Sequence, residues 1–113
     1  MPSGNDTFQI RFGKSGGFTN IPMEYMLDGS GDIFKIQNDT LNAGSVSRRK
    51  IRKLKERLTE LDFEHLDVSD PGNMTYFISV TTDAYNNTVK WNDQTDNEPL
   101  KEFYKELLEY VKP

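Results

Sequence analysis

Cysteine is absent from this 113-residue chain, and histidine occurs once. Without thiols, disulfide scaffolds, thiolate zinc sites, iron–sulfur clusters and cysteine nucleophiles are excluded. One imidazole excludes a site built from two or more histidines of the chain. No apolar run approaches the ~20 residues of a membrane span. The opening Met1-Pro-Ser-Gly does not read as a signal peptide. The single histidine excludes an H-E-x-x-H motif, and no nucleophile–base pair is evident in the spacing. The expectation is a protein that is not an enzyme, with no catalytic residues, no metal and no cofactor.

What is present reads as one domain over residues 7–113, behind a small polar leader, residues 1–6, expected to be disordered. A single domain of this length withdraws roughly 65% of its unfolded surface from water, enough for a core without staples. Phe8, Ile10 and Phe12 alternate with Gln9 and Arg11, which predicts a half-buried strand ending at Gly13-Lys14-Ser15-Gly16-Gly17. Met23, Tyr25 and Leu27 continue a second alternating run from Ile21. Asp28-Gly29-Ser30-Gly31-Asp32 is turn chemistry. A third strand is expected at 32–37, with Phe34 and Ile36 inward.

The period then becomes helical. Ile51, Leu54, Leu58 and Leu61 form one stripe, predicting a helix at about 46–62 capped by Ser45 or Ser47. Asp70-Pro71-Gly72-Asn73 stops the chain. Tyr76 to Val80 and Val89 to Trp91 form a second hairpin around a turn at 83–87. Leu100, Phe103 and Leu107 predict a last helix at about 99–111, opened by Pro99. The order β-β-β-α-β-β-α implies an α+β fold. An antiparallel sheet of about five strands should carry both helices on one face.

Four stretches could carry chemistry. Arg48, Arg49, Lys50, Arg52, Lys53, Lys55 and Arg57 supply seven of fourteen cations, leaving a remainder near -10 in a chain of net charge -4. One reading is an anion-binding helix, with Arg48, Arg49, Arg52 and Lys53 as the contacts. The plainer one is a solvated face balanced by the chain's own acids. No aromatic is interleaved, so a nucleic acid is not the expected partner. Gly13-Lys14-Ser15 lacks the earlier glycine of a phosphate loop. The segment Lys14, Ser15, Gly16, Gly17, Phe18, Thr19 and Asn20 reads either as a bend between strands or as a loop whose bare backbone approaches a partner. Asp28 to Asp32 has oxygens in calcium-loop positions, but Ile33 replaces the required glycine, which favours a hairpin turn. His65 stands among Asp62, Glu64 and Asp67 without a positioned nucleophile, so a surface histidine is expected.

The order strand, Ser15-Gly16-Gly17-Phe18-Thr19-Asn20-Ile21, strand, helix, Pro71-Gly72, Tyr76 to Val80, Val89 to Asp93 and Pro99-Leu100 resembles the emfourin family. Those are small bacterial inhibitors of thermolysin-like metallopeptidases. The likeness spans about residues 7–111, and Ser-Gly-Gly-Phe is its distinctive motif; Asn20 stands where the family has glycine. It implies a non-enzymatic binding domain with a metallopeptidase as partner and the loop Lys14 to Asn20 as the contact. The Ser-Gly-Gly-Phe-Thr run also resembles small envelope lipoproteins of Bacteroidetes-type bacteria. That likeness implies an accessory envelope domain, periplasmic or tethered to the outer membrane if a lipidated leader was removed. A native start at Met1 implies the cytoplasm instead. Neither likeness implies an oligomeric state.

Overall fold

The computed structural model describes residues 7–16, 22–36 and 40–111. The leader 1–6 lies outside them. The described chain runs β1 (Gln9–Gly16), β2 (Met23–Asp28), β3 (Asp32–Ile36), β4 (Thr40–Ser45) and α1 (Arg48–Glu60). A 3-10 turn (Phe63–His65), β5 (Met74–Thr81), β6 (Asn86–Trp91) and α2 (Glu98–Glu109) follow. The fold is α+β. Its six strands form one sheet in the order β4-β3-β2-β1-β5-β6, and every neighbouring pair is antiparallel.

β1 is the central strand, because its apolar alternation suits a position with a neighbour on each side. Ile10 stands between Leu27 and Val80, and Phe12 between Tyr25 and Ile78. That row is fully or nearly fully buried, and Val89 and Trp91 extend it into β6. Helix α1 adds Ile51, Leu54 and Leu58, and α2 adds Leu100, Phe103 and Leu107, to one continuous core. Both helices have side-chain caps at their N-termini. Ser47 accepts from the Lys50 amide, and Asn97 accepts from the Leu100 amide ahead of Pro99. The helices also touch: Arg57 Nη1 lies 3.6 Å from Glu106 Oε1, and the Lys50 ammonium 5.4 Å from the Tyr110 ring centre.

The sheet is close to the expected five strands, with one more, and three details need correction. The glycine-rich stretch does not interrupt β1 at Gly13, and the strand stays paired through Gly16. A glycine is required at 13 because a Cβ there would lie 1.8 Å from the Met23 carbonyl oxygen. Gly16 adopts φ +100°, a region glycine enters without penalty. A sixth strand, β4, precedes the helix; Leu41 is its only large apolar residue, so alternation gave no signal. The inward residue of β3 is Ile33, 1% exposed, whereas Phe34 and Ile36 lie half-buried on the opposite face. Leu27 faces the core and pairs with Ile33, and a shift of one residue turns every side chain over. The second hairpin turns at 82–85: Thr82 Oγ1 accepts from the amides of Ala84 and Tyr85. Asn86 and Asn87 already belong to β6, and Asn87 Nδ2 donates to the carbonyls of Phe63 and Leu66.

The close approach at Gly13 gives a prediction. Replacement of Gly13 by alanine should cost about 3 kcal/mol or more, since the obstacle is backbone in a paired neighbour. Chemical denaturation of the variant measures it. A cost below about 1 kcal/mol would show that β1 and β2 can part without consequence.

Candidate functional site

Asp28 to Asp32 is a hairpin turn. Asp28 Oδ1 accepts from the amides of Ser30 and Asp32 and from the Ser30 hydroxyl, which commits that oxygen to the turn. In the candidate loop, Lys14 to Gly16 belong to β1. Lys14 stands opposite Met23 on one side and Tyr76 on the other, and Gly16 stands opposite Met74. Ser15 is exposed. Gly17, Phe18, Thr19 and Asn20 lie outside the described residues. Met74 also lines a polar groove of about 500 Å³ with Asp70, Gly72, Asn73, Asn92 and Asp93.

The seven cations of the basic stretch divide into two groups. Lys50 lies over Tyr110, Lys55 lies 4.9 Å from the Phe8 ring centre, and Arg57 pairs with Glu60 and Glu106. These three flank the buried stripe. Arg48, Arg49, Arg52 and Lys53 are exposed and make no ion pair with any described residue. At about 100° per residue Arg49, Arg52 and Lys53 lie opposite Ile51, Leu54 and Leu58, with Glu56 among them, and Arg48 stands at the side of that arc.

Their place on the helix is electrostatically unfavourable. The N-terminus of a helix carries partial positive charge and favours acids. The first turn of α1 holds Arg48, Arg49 and Lys50 and no acid. Helix α2 begins with Glu98, as the dipole prefers. Each misplaced cation costs about 0.3–1 kcal/mol of helix stability at low salt.

A second feature was invisible in the sequence. Phe8, Leu58, Phe63 and Tyr85 floor a cleft of about 400 Å³ where the end of α1 meets the β5–β6 turn. Lys55, Asp62, Glu64 and Asp83 stand around it. These residues come from separate segments, and no spacing joins them. Asp62 at its rim has φ 51°, the only non-glycine residue with positive φ among those described. Burial and the Glu64 charge push the Tyr85 hydroxyl pKa up. At the other end of the sheet Tyr76, Trp91 and Tyr104 pack as a cluster, with ring centres 5.2–5.9 Å apart. Tyr104 has a buried hydroxyl with no hydrogen-bond partner among the described residues.

His65 is exposed. Its Nδ1 lies 2.8 Å from Asp62 Oδ1. That hydrogen bond, then the Asp62 and Glu64 charges, raise its pKa above the ordinary 6.5. No group of three or more metal-ligating side chains occurs among the described residues. No helix among them is long and apolar enough to cross a membrane. No family model matches the chain, and no curated protein matches it.

The His65 pair has a sign that can be checked. A pKa raised on folding contributes stability below the unfolded value, and that contribution is lost as pH rises through the folded value. Asp62→Asn keeps a residue that tolerates left-handed backbone. Proton NMR titration should place the His65 pKa above 6.5 in the parent and return it toward 6.5 in the variant. Equal values in both proteins would mean that the pair is not formed in solution.

Proposed function

We propose that this chain is a non-enzymatic binding domain whose contact surface is the outward face of α1, and that its partner is an acidic protein segment. One observation carries the reading. Arg48, Arg49, Arg52 and Lys53 are exposed and unpaired among the described residues, and Arg48 and Arg49 stand in the first turn, where cations reduce stability. Side chains that break a local rule without an internal gain mark a functional surface. The rest of the chain is near -10, which repels a polyphosphate along its whole length. A few carboxylates offered to one helix face meet the cations without that cost.

Replacing all four by glutamine separates binding from folding. Affinity for acetylated hexaglutamate should fall about tenfold or more, while thermal stability at low salt stays level or rises. Isothermal titration and thermal unfolding read the two effects. Unchanged affinity would remove the reading. Tighter binding to duplex DNA than to the peptide would transfer it to nucleic acid.

A second reading is inhibition of a thermolysin-like metallopeptidase through the loop Lys14 to Asn20. It is supported by the base of that loop. Lys14 is paired on both sides and Gly16 is held against Met74, so the segment starts from a fixed strand. Pre-organisation of this kind reduces the entropy lost on binding. Titration of thermolysin with micromolar protein should then abolish peptide hydrolysis, and Phe18→Ser should weaken the effect. Full activity at a large excess of the parent protein would eliminate this mode.

A further inference from the structure

We propose that the cleft between the C-terminal end of α1 and the β5–β6 turn holds a lysine side chain presented by a partner peptide. This site is independent of the cations at the N-terminal end of α1, which spans about 20 Å.

Size and lining come first. A cleft of about 400 Å³ falls in the range of ligand sites, and its floor is aromatic and aliphatic. Leu58 and Phe8 leave a little apolar surface at the base for the methylene stem, over fully buried Phe63, and half-buried Tyr85 supplies a wall. The volume exceeds one side chain, so apolar neighbours of the lysine enter as well.

Charge decides the sign of the ligand. Asp62, Glu64 and Asp83 face one cation, Lys55. Glu64 makes no hydrogen bond or ion pair with a described residue. Asp83 accepts only the Thr7 hydroxyl in the hydrogen bonds seen, and Asp62 is shared with exposed His65. The rim therefore keeps uncompensated negative charge, and an anionic ligand is repelled. The cleft also contains its own example of the contact. The Lys55 ammonium lies 4.9 Å from the Phe8 ring centre, the arrangement in which an alkylammonium is drawn to a ring face. An incoming ammonium takes the carboxylate side, where Glu64 and Asp83 accept its hydrogen bonds.

Lys55 then opposes the ligand and Glu64 assists it, so two exposed substitutions should act in opposite directions. The probe is acetyl-Leu-Lys-Leu-amide, titrated by NMR with full-length protein. Saturable binding is expected at a Kd of about 1 mM or tighter, with shifts at Glu64, Ala84 and Tyr85 rather than at Arg48 to Lys53. Lys55→Met should tighten binding and Glu64→Gln weaken it, each by up to about fivefold. Ala84 is exposed, and Ala84→Trp should fill the cleft and abolish binding. Acetyl-Leu-Norleucine-Leu-amide should bind more weakly. Equal affinity for the norleucine peptide, no saturation, or charge variants that move affinity in the same direction would overturn the proposal. Cadaverine binding as tightly as the peptide would overturn the peptide partner in favour of a free diamine.

Discussion

The double pairing of β1 organises everything else in this protein. Along its whole length it is bonded to β5, a strand from the second half of the chain, and over six residues to β2. Among the described residues the strands of the two hairpin systems pair only there, so the buried row through Ile10 and Phe12 is continuous across the sheet. The pairing requires that β1 and β2 come very close at one point. Gly13 meets that demand, because the space a side chain would need is filled by the Met23 carbonyl. The same closure brings residues 9–16 against 74–81, a contact between segments far apart in the chain. Contacts of that kind form late, since the intervening loop must be closed before they contribute.

The sheet also sets the length and course of α1. β4 is one edge of the sheet and leads into the helix through two residues. After the helix and the 3-10 turn, Ser69 bridges Lys90 on β6, the opposite edge. Six strands at about 4.8 Å spacing make a sheet about 24 Å wide. Thirteen helical residues cover about 20 Å, so α1 is a crossover matched to the sheet it covers. The amide of Asp70 and the carbonyl of Val68 complete that return against Lys90, and they cover the β6 edge. The β4 edge is handled differently, with a register shift opposite Ile33 and Phe34 and a short strand.

Periodicity made most of this legible. The two helical stripes, the cap at Ser47, and the alternation of β1, β2, β5 and β6 follow from spacing, because each has one wet and one dry face. Spacing failed where that condition is weak. β3 alternates in either register, with Ile33 on one side and Phe34 and Ile36 on the other, and only its pairing with β2 decides between them. β4 carries too little apolar surface to alternate. Gly13 looked like a breaker because sequence does not reveal how close a neighbouring backbone comes. The cations at Arg48, Arg49, Arg52 and Lys53 were visible as a cluster, but their separation from Lys50, Lys55 and Arg57 depends on what lies beside the helix. The cleft was not legible at all, since Phe8, Phe63 and Tyr85 are brought together only by the closed sheet.

These constraints give α1 two ends of different electrostatic character. Its N-terminal end, beside the β4 edge, concentrates unpaired positive charge against the helix dipole. Its C-terminal end, beside the β5–β6 turn, is followed by Asp62 and Glu64 and faces Asp83. Acids beyond a helix C-terminus are unfavourable, as cations at an N-terminus are, and at the C-terminal end Arg57 in the last turn counters them. Three internal contacts offset part of this: Lys50 on Tyr110, Lys55 on Phe8 and Arg57 with Glu106. All three hold the helix against the fold, and none involves the outward cations. Stability of α1 therefore comes from its buried stripe, which leaves the charges of its exposed face unconstrained by packing.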